Sequence, residues 1–332
     1  MMRGNDMVRY ATIGTSWITD SFIEATKRVD GLTHVAVYSR DRKNAEEFAN
    51  KHQVCVIFND LNEMACSDEF DAVYVASPNA FHFEQSKLLL EHHKHVICEK
   101  PITCSKEEAE ELFAIANKNH VVFMEAIMAL HSPQVELLKK ATEQIGRISL
   151  VRFDYSQLSS KYPKLLNGEN PNIFNIDMKT GCIMDIGIYC VYLALHLFPD
   201  YINLKADAVK LPTSLDLCGV ATLEYPDKLV TLSYSKIGNG RTSSEIQGDK
   251  GSIIIDKVAL LNKISICDND GTTKQIFEAD PHVLSMQYEA QSFYDYITDF
   301  DNHKEKYEYL SNLSINVSDT LYKIRKASGV NF

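Results

Sequence analysis

The sequence predicts an α/β protein of two domains: a doubly wound parallel sheet over residues 1–124 and an α+β domain with an open, mostly antiparallel sheet over residues 125–332. Three observations predict it. From Val8 onward, short β-branched runs alternate with longer segments of helical period. After about Gly146 the runs follow one another directly, punctuated by turn residues. At 332 residues the chain exceeds one ordinary domain and gives each of two enough length to bury a core.

The first runs are VRYATI, HVAVYS, CVIF, DAVYVAS, HVIC and VVFMEA, with RKNAEEFANKH, FEQSKLLLEHH and KEEAEELFAIANKN among the helical pieces between them. Parallel strands covered by helices on both faces leave their ligand crevice beyond the carboxyl ends of the strands, so function is expected just after each strand. The later runs are ISLVRFDY, CGVATLEY, KLVTLSYS, SSEIQG, GSIIID and KISIC, with turns at Pro226-Asp227 and Asp270-Gly271. Two helices, over 284–300 and 313–327, close the chain.

Apolar residues at 45% and charged ones at 24% give the balance of a globular chain, and no repeat or low-complexity tract interrupts it. The longest apolar segment, CIMDIGIYCVYLALHLF, contains Asp185 and His196, which suits a buried helix rather than a bilayer span. The opening MMRGND has no apolar core or cleavage site behind it, so the expected location is cytoplasmic. Eight cysteines are scattered without Cys-x-x-Cys or zinc spacing; they read as small core fillers in a reducing compartment, with no metal site. A net charge of -11 argues against broad contact with nucleic acid or anionic membrane, so an anionic ligand must be caught locally.

The turn after the first strand reads IGTSWITDSF, and Gly14, Thr15, Ser16, Trp17 and Ile18 stand where a dinucleotide-binding Gly-x-Gly-x-x-Gly/Ala loop would lie. Only Gly14 matches; Ser16 and Thr19 replace the second and third small residues. Ser16 still lets the backbone approach a pyrophosphate at a helix N-terminus, while an ordinary capped turn explains the stretch equally well. The second strand ends in Ser39-Arg40, followed by Asp41, Arg42 and Lys43, where an NAD-preferring site carries an acid for the ribose hydroxyls. A hydroxyl and a guanidinium there suit a 2′-phosphate, which points to NADP with NAD as the alternative. Arg42 and Lys43 also read as the solvated start of a helix.

The fourth strand ends in ASPNAFH and the fifth in CEKP, two polar, proline-containing tips at one edge of the crevice. With SPNAFH, EKPIT, MEAIM and TGCIMDIGIY in this order, the chain resembles the Gfo/Idh/MocA oxidoreductase family over essentially its whole length. Its nearest group includes dimeric dihydrodiol dehydrogenase, glucose-fructose oxidoreductase and NADP-using xylose dehydrogenases. The resemblance implies a Rossmann domain followed by a substrate-binding and dimerisation domain. It also implies that Lys100 points into an active site from EKP, with Glu99 near the nicotinamide ribose. Ser77, Pro78, Asn79, His82, Pro101 and Glu125 would complete the cofactor site on the same resemblance.

Asp185 and Tyr189 are four residues apart, so on a helix they share a face. An Asp on a helix that is apolar nearly all round needs a cationic partner. The family's Asp-x-Gly-x-Tyr pattern implies that Lys100 is that partner and that the three residues form the catalytic set. Hydride transfer from a carbinol carbon to nicotinamide needs a base for the hydroxyl proton, and the reverse needs an acid at the carbonyl oxygen. Tyr189 takes that part, a neighbouring ammonium favouring its phenolate, and Asp185 holds the pair in register.

The expected function is therefore an NAD(P)-dependent oxidoreductase, with NADP preferred, acting on a small-molecule sugar, polyol or trans-dihydrodiol. Two rivals stand beside it. One is a nucleotide-responsive regulatory binding protein, suggested by the degraded Gly-x-Ser-x-x-Thr turn. The other is an oxidoreductase whose tightly held cofactor exchanges hydride between two substrates. Where relatives read EAFMYRFHP this chain has EAIMALHSP, with Ala129 and Leu130 in place of Tyr and Arg, so the substrate-facing edge differs. A sheet with one face free of helices predicts a homodimer.

Overall fold

The computed structural model describes residues 7–332. They form two compact units, each built from two stretches of chain rather than divided by a single cut after residue 124. The first comprises the residues up to Met128 together with Leu284–Ile315, and the second Ala129–Val283 together with Asn316–Phe332.

In the first unit β1 (Val8–Ile13), β2 (Leu32–Tyr38), β3 (Val56–Phe58), β4 (Ala72–Val75), β5 (His95–Glu99) and β6 (Phe123–Ala126) pair in parallel in the order β3-β2-β1-β4-β5-β6. This is the doubly wound order, with its switch point between β1 and β4. Side chains alternate between two faces as the pleat requires. Val73 and Val75 join Ile13, Val96 and Cys98 on one face, while Tyr74 joins Tyr10, Phe22 and Ile97 on the other. The helices are α1 (Trp17–Thr26), α2 (Arg42–His52), α3 (Leu61–Ala65), α4 (His82–Glu91) and α5 (Lys106–Lys118). Their starts are coded locally. Asp41 caps α2 by accepting the Asn44 N–H at 3.0 Å, and Ser105 caps α5 by accepting the Glu108 N–H at 3.3 Å. The helix Met286–Thr298, from the second stretch, adds Met286, Ala290, Phe293 and Tyr296 to the Tyr74 face.

The second unit is entered through α6 (Met128–His131) and α7 (Pro133–Thr142). Its strands are β7 (Ile148–Ser156), β8 (Asn203–Lys210), β9 (Asp216–Glu224), β10 (Leu229–Ser235), β11 (Ser244–Gly248), β12 (Gly251–Ile255), β13 (Lys263–Asp268) and β14 (Thr273–Glu278), in the order β14-β13-β12-β11-β7-β10-β9-β8. β7 and β10 run parallel and the other neighbours antiparallel. β8 and β14 were not expected from the sequence. Both are edge strands, largely exposed, and so lack the apolar run that marks a buried strand.

α8 (Tyr162–Leu166) precedes the apolar segment, which is a π-helical turn over Ile183–Gly187 continuing into α9 (Ile188–Leu197), where the sequence predicts a plain α-helix. Both pack on β7 and β10. The stretch Ile176–Leu197 is long and apolar enough to cross a bilayer, but 89% of its most apolar window is buried within the protein, which makes it core. The closing helices are α10 (Met286–Thr298) and α11 (Phe300–Ser328). The latter is one continuous helix of 29 residues in place of the shorter one expected over 313–327.

Candidate active site

The cofactor side of the first unit is built at the tips of its strands. Gly14 follows β1 with φ +108°, and a Cβ there would lie 2.5 Å from the Ala76 carbonyl oxygen. Only glycine fits so close an approach between the β1 and β4 tips. Thr15 is half-buried and Ser16 exposed. Ser16 is the extended residue before α1, and its hydroxyl makes no cap bond to the helix. The first-turn N–H groups, including those of Trp17 and Ile18, therefore face a phosphate without competition from a side-chain cap. Thr19, the bulkier third position, is fully buried. A diphosphate fits this cradle.

Ser39 and Arg40 end β2. The Ser39 carbonyl accepts from Asn59 at 2.8 Å, which fixes the tip, and the Arg40 guanidinium lies 4.7 Å over the Phe81 ring, beside the β4 tip. Arg42 and Lys43 pair with Glu46 and Glu47 one turn on, at 2.8 and 3.8 Å, and Lys43 is 83% exposed. They form a solvated helix face.

At the β4 tip Ser77 donates to Gln85 at 2.7 Å, and Pro78 and Asn79 are half-buried. His82 is 1% exposed, its Nδ1 2.8 Å from the Pro101 carbonyl and its Nε2 2.7 Å from the Ser77 carbonyl. Burial pushes its pKa below the ordinary value. The ring is a strut that ties the β4 tip to the β5 tip. Glu125, on β6, is also buried and accepts the Ile102 N–H at 3.2 Å, pinning the turn after Pro101.

Glu99 ends β5, buried, and accepts a hydrogen bond from Tyr74 at 2.5 Å; Lys100 follows it, half-buried. A second carboxyl, Glu289 of α10, is 1% exposed, and its Oε2 has no hydrogen-bond partner among the described residues. Burial and the nearby Glu99 push Glu289 well above the usual carboxylate range, while Lys100 acts in the opposite sense. Two buried carboxyls that raise one another's pKa cannot both ionise cheaply, and burial favours the neutral form of Glu289. Nothing in the sequence pattern marks Glu289 beyond its place on a helix that buries its other neighbours.

In the second unit Asp185 lies in the π-helical turn and Tyr189 in the first turn of α9. Gly187 between them lets the turn sit on β10: a Cβ there would meet Ile183 Cδ1 at 2.7 Å and the Tyr234 ring at 3.0 Å. Asp216, wholly buried on β9, accepts the Ile183 N–H at 2.7 Å and so anchors the start of the turn from the sheet. Tyr189 is 8% exposed, and its ring lies 5.5 Å from that of Tyr155. The cation on Asp185 within this unit is Lys236, whose Nζ contacts Asp185 Oδ2. Sequence reasoning missed Lys236, although its place just past the end of a strand is the signal that was applied to the first sheet.

Comparison with known proteins reads on this geometry. Residues 8–127 match the Gfo/Idh/MocA description "Oxidoreductase family, NAD-binding Rossmann fold", and residues 138–254 match the family's C-terminal domain. The chain belongs to the Gfo/Idh/MocA oxidoreductase family. As a Gfo/Idh/MocA enzyme it is 40% identical over 326 residues to the oxidoreductase YgjR of Escherichia coli and 39% identical over 324 residues to the scyllo-inositol 2-dehydrogenase (NADP(+)) IolU of Bacillus subtilis. Each match covers 98% of both chains. Among solved structures, KijD10, a 3-ketoreductase from Actinomadura kijaniata in complex with NADP and TDP-benzene, superposes with a TM-score of 0.82 at 20% identity over 97% of this chain and 98% of that one. This last likeness is one of fold.

Proposed function

We propose that the chain is an NADP-dependent dehydrogenase or reductase acting on the CH–OH carbon of a polyol, sugar or trans-dihydrodiol, with cyclic polyols foremost. The observation that carries this reading is the buried Asp-x-Gly-x-Tyr helix, whose Asp185 is ion-paired to Lys236 one turn from the Tyr189 phenol. A scyllo-inositol dehydrogenase among the close relatives supports the substrate class. Ser39 and Arg40 at the β2 tip, with the neighbouring Asp41 taken up in capping α2, support a 2′-phosphate on the cofactor.

A bound nicotinamide supplies the hydride acceptor for the carbinol carbon, or the donor in the reverse direction. Tyr189 takes the hydroxyl proton at its Oη in oxidation and returns it in reduction. Lys100 contributes the positive charge that favours an alkoxide and a phenolate. Asp185 accepts hydrogen bonds from neighbouring substrate hydroxyls.

The open face of the second sheet presents Val209, Val220 and Leu229, which are 56%, 54% and 45% exposed and share one face of β8, β9 and β10 by register. A second copy of the chain covering this face gives a homodimer. Eight free thiols, of which Cys98, Cys104, Cys182 and Cys190 are buried, suit a reducing, cytoplasmic setting.

The test is a panel of inositols, aldoses, linear polyols and trans-diols assayed with NADP+ and NAD+ by absorbance of the reduced nicotinamide. Lys100→Met should abolish turnover and Tyr189→Phe should lower kcat by about 100- to 10,000-fold, both retaining fold and cofactor binding. Full activity in both variants overturns the reading.

A further inference from the structure

The helix that carries Tyr189 is served by a cation that lies outside the motifs SPNAFH, EKPIT, MEAIM and TGCIMDIGIY. We propose that Lys236 is a positioning residue for Asp185, and that this pair gives the site its preference for polyhydroxylated substrates; the inference rests on the dehydrogenase reading above.

Lys236 follows β10 directly, and its backbone is held on both sides. Its N–H donates to the Leu217 carbonyl at 2.9 Å, and its own carbonyl accepts the Ser159 N–H at 2.9 Å. The stem therefore has one origin and little freedom. The lysine side chain is 10% exposed and the Asp185 side chain 31%, so the ammonium is sunk beneath a carboxylate that opens outward. A buried ammonium demands an anionic partner. The other carboxyl nearby, Asp216, is committed through Oδ2 to the Ile183 N–H, and Lys236 Nζ contacts Asp185 Oδ2.

A carboxylate with one oxygen held by an ammonium keeps a single orientation and still has lone pairs to accept from a ligand. Tyr189, four residues on, serves the reacting hydroxyl. Asp185 then serves the next hydroxyl of a vicinal set, which a simple alcohol lacks. Lys236 touches the substrate only through Asp185, so it governs how well Asp185 binds rather than the proton transfer.

The experiment measures steady-state kinetics of Lys236→Met, Lys236→Arg, Asp185→Asn and the double variant Asp185→Asn/Lys236→Met, using the best inositol of the panel as substrate and NADP+ as cofactor. Lys236→Met should raise KM by about tenfold or more with kcat within about threefold. NADPH affinity should stay at the wild-type value, and Lys236→Arg should restore most of the loss. On the Asp185→Asn background, removing Lys236 should cost less than about twofold further, because the residue acts through a carboxylate already gone. If the Met variant does not fold, Lys236→Gln, which removes the charge and keeps a donor on a slightly shorter stem, carries the same comparison. A wild-type KM in the folded variant overturns the inference, as does a lowered melting temperature alone or a full additional loss in the double variant. A wild-type protein that turns over nothing in the panel defeats the dehydrogenase reading instead.

Discussion

Tyr74 donates a 2.5 Å hydrogen bond to Glu99 Oε1 across neighbouring parallel strands, with both side chains withdrawn from solvent. Phe22 of α1 stacks on the Tyr74 ring at 3.9 Å and 8° between planes, so the helix that opens at the phosphate cradle also clamps the phenol. The carboxylate so fixed is the residue immediately before Lys100. The orientation of the β5 tip thus depends on a phenol that lies outside the EKPIT and SPNAFH motifs.

Tyr74→Phe keeps the stack and removes a buried hydrogen bond to Glu99 Oε1. It should destabilise the protein by about 1–3 kcal/mol in urea unfolding. Glu289→Gln is the contrasting variant. Its amide replaces a carboxyl whose neutral form burial favours, and the cost should stay within about 1 kcal/mol. A Gln variant that loses as much as the Tyr74 variant would show that Glu289 is ionised as a counter-ion to Lys100.

Asp216 makes a pH prediction. Burial raises its carboxyl from 3.8 to about 6. The protonated form is the one the fold prefers, so its stabilising contribution is complete below the unfolded-state pKa and is lost as pH rises to about 6. A displacement of that size corresponds to about 3 kcal/mol. Asp216→Asn keeps an acceptor for the Ile183 N–H and does not titrate. Between about pH 4 and pH 6.5 the stability of the variant relative to wild type should therefore rise by about 2–3 kcal/mol. A constant difference across that range would mean that the carboxyl titrates normally.

Trp17 is the single tryptophan of the chain and is 74% exposed at the start of α1. Its fluorescence should change on titration with NADPH, and an unchanged emission at saturation would contradict the cradle. Arg40→Ala should weaken NADPH about 10- to 100-fold and leave NADH nearly unaffected, as loss of a charge-assisted contact to a 2′-phosphate requires. Equal losses for both nucleotides would place Arg40 elsewhere in the site.

The parallel sheet was legible because β1, β4, β5 and β6 are buried on both faces and so read as continuous apolar runs. The strand tips were legible because polar residues interrupt such runs only where the chain leaves the sheet. β8 and β14 were not, since an edge strand has no such pressure on its composition. The Asp185–Tyr189 spacing marked a shared face, but the π-helical turn did not show, because a widened turn leaves the same four-residue interval. Lys236, Asp216 and Glu289 escaped for a common reason. Each meets its partner across a long sequence separation, and no local period records such a meeting.

The first unit closes one face of its sheet with residues that lie beyond the whole second sheet in the chain. Tyr10, Tyr74 and Ile97 acquire Met286, Ala290, Phe293 and Tyr296 as neighbours only after the whole second sheet has been synthesised. A nascent chain halted at residue 128 therefore carries a finished strand order with one greasy side covered only in part, by α1. Chaperone occupancy during translation should peak in that interval and fall when α10 emerges.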